Sequence, residues 1–213
     1  MAHRERHHVI RKSPETGGGI CLRIKICGIT RPEDAAFAEA CGADAVGVVL
    51  FSNSPRSVSA ERAQEIFAAV GPFITTVAVT HTTSEEEIVK ILAIQPDAIQ
   101  IFHPFPRSVC GNVKVILAMH PGTPLLPDVD AIIVDESHGT GRLFSTRYFR
   151  EIAATVQVPV ILAGGLTPEN VRQAMQDLRP YAVDVASGVE DRPGIKNLEK
   201  VRAFIRMCKE EEP

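Results

Sequence analysis

The chain has 213 residues, of which 45% are hydrophobic and 23% are charged, a composition typical of a globular protein with one α/β domain. Its 23 Lys and Arg residues nearly balance its 26 Asp and Glu residues, and the net charge of −3 excludes a general attraction to nucleic acid or anionic membranes. No apolar run is long enough to span a bilayer and the first residues lack a signal-peptide core, so we expect a cytoplasmic protein.

The first 21 residues differ in composition from the rest of the chain. They are polar, rich in His and Arg, and lead through three glycines at positions 17–19 without any apolar periodicity. Chain termini are usually disordered unless contacts hold them in place. We therefore predict a disordered N-terminal tail at residues 1–21 and a single domain at residues 22–213.

From Arg23 onward, short apolar runs alternate with segments of helical periodicity. Gly42 is expected to cap the end of the first helix and Ser59 the start of the second, while Thr167 and Pro168 are expected to begin the helix after the seventh strand. Prolines in the segment 102–107 leave little room for a regular helix there. The predicted strands span residues 23–27, 44–50, 74–80, 97–101, 113–119, 131–135, 158–163 and 181–186, and the predicted helices span residues 32–41, 60–70, 84–94, 145–155, 167 onward and 197–209.

The alternation of strands and helices predicts a parallel sheet, and eight such units on a chain of this length favour a closed (β/α)8 TIM barrel over an open sheet. Active sites of these barrels lie at the carboxyl ends of the strands. Cys27 ends the first predicted strand and Asp135 ends the sixth, so a thiol and a carboxyl are candidates for base and acid at the barrel mouth. The alternative interpretations are a buried inert thiol and a carboxylate that caps a helix or pairs with a cation.

Glycine-containing turns follow the last two predicted strands. Gly164 and Gly165 end the seventh strand, and Ser187 and Gly188 follow the eighth. Glycine lets backbone N–H groups approach an anion closely, and the loops after strands seven and eight form the usual phosphate site of these barrels. We predict a phosphate site here, although the glycines could also serve only to make tight turns.

The cysteines and histidines give no sign of a metal or a disulfide framework. The five cysteines include no Cys-x-x-Cys spacing, and the seven histidines include no spacing typical of ligands on one helix face. We therefore expect no metal site.

Five segments are informative when they are taken together. They are 25–30 (Lys-Ile-Cys-Gly-Ile-Thr), 42–47 (Gly-Ala-Asp-Ala-Val-Gly), 54–59 (Ser-Pro-Arg-Ser-Val-Ser), 163–171 (Ala-Gly-Gly-Leu-Thr-Pro-Glu-Asn-Val) and 183–190 (Val-Asp-Val-Ala-Ser-Gly-Val-Glu). As a set they resemble the phosphoribosylanthranilate isomerase family of tryptophan biosynthesis. They occur in the family's order, and the resemblance extends from Arg23 nearly to the end of the chain.

The resemblance implies an Amadori rearrangement of N-(5-phosphoribosyl)anthranilate to 1-(2-carboxyphenylamino)-1-deoxyribulose 5-phosphate without a cofactor. It also implies roles for single residues. Asp135 would protonate the ribose ring oxygen, Cys27 would remove the proton from the carbon that bears the 2-hydroxyl, and Arg56 would hold the anthranilate carboxylate. Backbone groups of Gly164, Gly165, Ser187 and Gly188 would bind the phosphate. The expected partner is therefore a small phosphorylated substrate.

Some positions depart from the family's pattern. After the fourth strand the family usually reads Gln-Leu-His-Gly, whereas this chain has Gln100-Ile101-Phe102-His103, with the histidine one position later. Two alternatives stay open from the residues alone. One is another phosphate-binding barrel enzyme, although an aminoaldose isomerase of histidine synthesis would carry an Asp in place of Cys27. The other is a catalytically silent paralogue that binds a phosphorylated ligand.

Overall fold

The computed structural model describes residues 22–126, 128–135 and 145–210. The predicted N-terminal tail at residues 1–21 and most of the predicted loop after Asp135 lie outside the described residues. Within the described chain, no helix is long and apolar enough to cross a membrane.

Eight parallel strands close into a barrel in chain order, with β8 pairing back onto β1. The predicted TIM barrel is therefore confirmed, and each strand lies within its predicted segment. The strands are β1 (Arg23–Ile26), β2 (Ala45–Leu50), β3 (Thr75–Thr80), β4 (Ala98–Ile101), β5 (Lys114–Met119), β6 (Ala131–Val134), β7 (Val160–Leu162) and β8 (Ala182–Val185).

Seven described α-helices connect these strands or follow them, and local sequence signals explain several of their ends. Gly42 adopts φ 98° and caps the first helix, as expected for a residue without a Cβ. The side chains of Ser59 and Asn197 accept hydrogen bonds from the first turns of the second and last helices. The helices are α1 (Pro32–Cys41), α2 (Ala60–Ala68), α3 (Glu85–Ala93), α4 (Arg107–Cys110), α5 (Thr146–Thr155), α6 (Val171–Leu178) and α7 (Leu198–Lys209).

The prediction that a helix begins at Thr167 and Pro168 was wrong, because α6 begins at Val171. Asn170 accounts for the delay. Its side-chain oxygen accepts a hydrogen bond from the Thr167 N–H at 2.8 Å, and its amide nitrogen donates to the Gly165 carbonyl at 2.9 Å. These bonds close a turn before the helix, in the way that Asn side chains often compete with helical hydrogen bonding.

A short hairpin after β8 was not predicted from the sequence. A 3₁₀ turn (Ser187–Val189) leads into β9 (Glu190–Arg192), which pairs antiparallel with β10 (Ile195–Lys196). Gly194 has φ 82° at the turn between them. The hairpin carries Glu190 and Lys196 back to the mouth of the barrel, and both side chains are buried.

Alternate residues of each strand face opposite sides of the barrel wall. On β1, Ile24 and Ile26 belong to the hydrophobic core between the strands and the helices, whereas Cys27 belongs to a second cluster inside the barrel. Lys25 is also buried, since only 4% of its surface is exposed. This periodicity of two therefore places a lysine directly below a cysteine inside the barrel.

Candidate active site

A cavity of about 440 Å³ opens at the carboxyl ends of the strands. Cys27, Arg56 and Asp135 all line it, although they lie 29 and 79 positions apart along the chain. Cys27 directly follows β1, Arg56 lies in the loop after β2, and Asp135 directly follows β6. The structure therefore brings together the three side chains that the sequence singled out for chemistry and for binding the carboxylate.

Cys27 is nearly buried at the floor of this cavity, with 7% of its surface exposed. Its backbone N–H donates to the Val185 carbonyl at 2.8 Å, and Gly28 then turns the chain away with φ 71°. Burial raises the pKa of the Cys27 thiol, and the nearby Lys25 opposes that rise only in part. The surroundings of Cys27 in the free protein therefore disfavour the thiolate that a base requires.

A buried ion pair lies beneath the thiol. The Lys25 ammonium donates to Asp184 Oδ1 at 2.7 Å and to Gln100 Oε1 at 3.0 Å. Burial alone would lower the pKa of Lys25, but the charges of Asp184 and Cys27 outweigh it and raise that pKa. Lys25 is therefore a permanent positive charge inside the barrel. One signal in the sequence could have identified it, namely a lysine between two isoleucines of a short apolar strand.

Arg56 is held in place by Glu190 of the short hairpin. Its Nε donates to Oε1 at 2.9 Å and its Nη2 donates to Oε2 at 2.7 Å. Lys196 also donates to Glu190 Oε1, at 2.9 Å. Burial tends to raise the pKa of Glu190, but Arg56 and Lys196 outweigh it, so that pKa lies below its ordinary value. Glu190 and Lys196 were missed as site residues, because their hairpin was not predicted.

The side of the cavity formed by β3 and β4 is aromatic. The rings of His81 and Phe102 stack with centroids 4.0 Å apart, and His81 Nδ1 lies 3.0 Å from the Ser52 hydroxyl. His103 is exposed and instead meets Phe105 edge-on at 4.8 Å. Among the described residues, the histidine that lines this cavity therefore directly follows β3, and Phe102 lines the cavity directly after β4.

The four residues predicted to bind phosphate are not among the described residues that line the cavity, although Ala186, which precedes Ser187 in the chain, does line it. Gly164 and Gly165 have φ 90° and 65°. A Cβ on Gly188 would lie 1.9 Å from the Leu166 carbonyl oxygen, so the loops after β7 and β8 touch through a glycine. No hydrogen bond within the described part of the chain uses the N–H groups of these four residues.

The described residues contain no group of three or more His, Cys, Asp or Glu side chains arranged to hold a metal ion. The charged groups of the cavity are instead paired with one another, as Lys25 with Asp184 and Arg56 with Glu190 show. The arrangement offers a thiol and a carboxyl on separate strands, with a guanidinium at the rim. Those groups are suited to proton transfer on a small acidic molecule.

Comparison with known proteins identifies relatives over nearly the whole chain. The family model for N-(5'-phosphoribosyl)anthranilate (PRA) isomerase matches residues 24–207. The isomerase of that name from Methanoregula boonei is 57% identical over 190 residues, covering 89% of this chain and 97% of the relative. The crystal structure of phosphoribosyl anthranilate isomerase from Thermus thermophilus is 38% identical with a TM-score of 0.79, covering 87% of this chain and 98% of that one.

A further solved structure carries a ligand. It is a phosphoribosyl anthranilate isomerase in complex with reduced 1-(o-carboxyphenylamino)-1-deoxyribulose 5-phosphate, and it is 34% identical to this chain with a TM-score of 0.74. The match covers 88% of this chain and 98% of that one. The ligand named there contains a carboxylate, an arylamine and a phosphate in one molecule.

Proposed function

The chain belongs to the N-(5'-phosphoribosyl)anthranilate isomerase family, and on that premise we propose that the cavity at the carboxyl ends of its strands is the active site. The protein is an aldose–ketose isomerase of tryptophan biosynthesis. The observation that carries the assignment of the site is the convergence of Cys27, Arg56 and Asp135 on one cavity. Asp135 acts there as the general acid and Cys27 as the general base.

The proposed mechanism has two catalysed proton transfers followed by a tautomerisation, and it uses this acid and this base. The Asp135 carboxyl donates its proton to the ribose ring oxygen, the bond from that oxygen to C1 breaks, and the nitrogen lone pair forms an iminium ion. The Cys27 thiolate then removes the proton from C2, and the electron pair of that C–H bond becomes the C1–C2 double bond of an enolamine. The enolamine becomes the ketone when C1 gains a proton and the 2-hydroxyl loses one, and a proton that passes from the Cys27 thiol to the Asp135 carboxylate restores the acid and the base.

The iminium ion offsets the effect of burial on the Cys27 thiol. The pKa of Cys27 is raised by its surroundings, so the free enzyme holds less thiolate than an exposed cysteine would. A positive charge on the bound intermediate favours the thiolate at the moment when the base is needed. We expect the reaction itself to complete the activation of Cys27.

Arg56 is placed to hold the anthranilate carboxylate. Glu190 engages its Nε and Nη2, and no hydrogen bond among the described residues uses its Nη1. A guanidinium that is anchored on one edge can present the other to a carboxylate without a further loss of side-chain entropy. The planar pair of His81 and Phe102 provides an aromatic wall on the β3 and β4 side of the same cavity.

The phosphate is proposed to bind at the N–H groups of Gly164, Gly165, Ser187 and Gly188. What supports the proposal is that no hydrogen bond within the described chain uses these donors and that they follow β7 and β8, whose neighbour Ala186 lines the cavity. Binding energy from a phosphate remote from the reacting carbons can hold the ribose in position for proton transfer.

We also propose that the enzyme works in the cytosol. All four cysteines in the described part of the chain are free thiols. A catalytic base that must cycle between thiol and thiolate is best preserved in a reducing compartment.

The test is the loss of anthranilate-type fluorescence when phosphoribosylanthranilate, generated in situ, meets the purified protein. We expect Cys27→Ala to lower kcat by about 10³-fold, in keeping with the loss of a general base. Cys41→Ala is the matched control, because Cys41 is a free thiol at the end of α1 and does not line the cavity. Near-normal turnover by Cys27→Ala would exclude Cys27 as the base.

A further inference from the structure

Lys25 has no part in the two proton transfers, yet its ammonium lies close to the thiol of the proposed base, Cys27. It lies two positions before Cys27 on β1, so both side chains point into the barrel. A Cβ added to Gly47 would lie 2.9 Å from the Cys27 sulfur and 3.1 Å from the Lys25 nitrogen. Both reactive atoms therefore converge on the space left by the missing side chain of Gly47.

We propose that Lys25 is a positioning residue for the base: its buried ammonium stabilises the Cys27 thiolate, and Asp184 and Gln100 hold that ammonium beneath the sulfur. The inference rests on the proposed role of Cys27 and deepens it. It also explains why β2 has a glycine at position 47, since a side chain there would separate the cation from the thiol.

The first argument is the cost of placing these charges inside the barrel. Lys25 and Asp184 are 4% and 7% exposed, and burying an ion pair often destabilises a fold relative to well-packed apolar side chains. The neighbouring layers of the barrel interior are filled by Val, Ile and Ala, which shows that apolar packing is accommodated there. Stability alone therefore gives no reason for a lysine at this position.

The second argument is the balance of charge around the sulfur. The titratable groups that face the cavity or its floor come from several elements: Lys25 on β1, Arg56 after β2, His81 after β3, Asp135 after β6, Asp184 on β8, Glu190 on β9 and Lys196 on β10. Arg56 and Lys196 share the charge of Glu190. Lys25 is the cation with the largest favourable effect on the thiolate, and Asp184 is the anion that opposes it.

Removing the cation and removing the anion of this ion pair should therefore have opposite effects on the Cys27 thiolate. This difference separates an electrostatic role of Lys25 from a structural one. Removing the cation while keeping the bulk of the side chain, as in Lys25→Met, should disfavour the thiolate. Removing the anion while keeping its shape, as in Asp184→Asn, leaves the ammonium unneutralised and should favour the thiolate. A merely structural role would make both variants change in the same direction.

The experiment measures the rate at which iodoacetamide alkylates Cys27 between pH 6 and 10, followed at the level of the Cys27 peptide by mass spectrometry. At neutral pH we expect about tenfold slower alkylation in Lys25→Met, with the rate profile displaced to higher pH, and faster alkylation with a displacement to lower pH in Asp184→Asn. Lys114→Met, which removes a cation from the far end of the barrel, should leave the profile unchanged.

Turnover is measured beside alkylation, so that two different failures can be told apart. We expect kcat in Lys25→Met to fall, and the ascending limb of its pH profile to move to higher pH together with the alkylation profile. Equal alkylation profiles in the wild type and both variants would overturn the role of Lys25. Full activity in Cys27→Ala would instead overturn the role of Cys27 as base, while leaving the effect of Lys25 on the thiol measurable.

Discussion

The barrel has a cavity at each end, and the two are nearly equal in size. The one at the amino ends of the strands measures about 490 Å³ and the one at the carboxyl ends about 440 Å³. Both are lined by charged and apolar side chains. They differ in what their charged groups contact and in how far those groups are removed from water, and this difference separates the part of the molecule that supports the fold from the part assigned to chemistry.

At the amino end, carboxylates bind the backbone. Asp44, Asp97 and Asp130 directly precede β2, β4 and β6, and each accepts a hydrogen bond from an N–H of the preceding strand at 2.8 to 2.9 Å. These aspartates are half-buried or exposed. The Asp-Ala pair at the start of β2, β4 and β6 thus links each of these strands to the strand before it.

At the carboxyl end, charges bind one another. Asp184, Glu190 and Lys196 are each at most 7% exposed and form ion pairs, and the partner of Asp184 is Lys25, which is 4% exposed and reaches up from the floor of the amino-end cavity. Charges so far removed from water interact strongly and shift the pKa of a neighbouring thiol. The volume of a cavity therefore does not locate the chemistry of this barrel, whereas the burial of its charged groups does.

The largest effect is expected at β6, which has an aspartate at each end. Asp135→Asn removes the proposed acid, and we expect kcat to fall by about 10³-fold with little change in protein stability. Asp130→Asn alters the aspartate at the opposite end of the same strand and should leave kcat unchanged. The fluorescence assay measures kcat of both variants, and similar values would show that the general acid is not Asp135.

A smaller effect on the reaction is expected at Arg56. Arg56→Ala removes the proposed partner of the substrate carboxylate, and we expect KM to rise by about 30-fold, which corresponds to the loss of about 2 kcal/mol from one charged hydrogen-bonded contact. Arg56→Lys keeps the charge beside Glu190 and should recover part of the affinity. An unchanged KM in Arg56→Ala would show that the carboxylate is held by another group.

The amino end should respond in stability rather than in rate. Asp44→Ala leaves the N–H of the fully buried Ile24 without its 2.8 Å acceptor, so we expect a loss of about 1 to 3 kcal/mol in the free energy of unfolding. Urea denaturation measures the loss, and kcat at 25 °C should not change. Asp128→Ala serves as the control, because Asp128 is exposed. A drop in kcat without a drop in stability would contradict this division between the ends.

The smallest effect is the acid dependence contributed by Asp130. Burial tends to raise the pKa of this carboxyl, but hydrogen bonds from Lys114 and the Val115 N–H outweigh burial and place that pKa below its ordinary value. The folded state therefore binds this proton less readily than the unfolded chain, and Asp130 stabilises the fold above about pH 4. That contribution should vanish as pH falls through the lower folded-state value.

Denaturation of the wild type and Asp130→Asn at a series of pH values tests this. We expect the wild type to be the more stable at pH 6 and the difference to shrink toward pH 3. A difference that is independent of pH would show that the carboxylate charge contributes nothing.

Much of the site could be read from local signals, because its residues are defined by their place in a strand–turn–helix unit. Cys27 and Asp135 each end an apolar run, and Arg56 lies in a polar loop between a buried strand and a capped helix. His81 carried no comparable signal. It follows β3 as an ordinary loop residue would, and only the structure shows its stacking on Phe102, while the more conspicuous His103 is exposed and is not among the residues that line the cavity.

The sequence by itself determined the barrel and the strand ends on which the candidate acid and base lie, because periodicity, caps and strand composition act within a few residues of the chain. Only the tertiary structure decided how charges far apart in the chain are paired. Lys25 meets Asp184 across 159 positions, and Arg56 meets Glu190 across 134. Barrel closure brings β8 against β1, and that contact places a cation beneath the thiol and anchors the arginine at the rim.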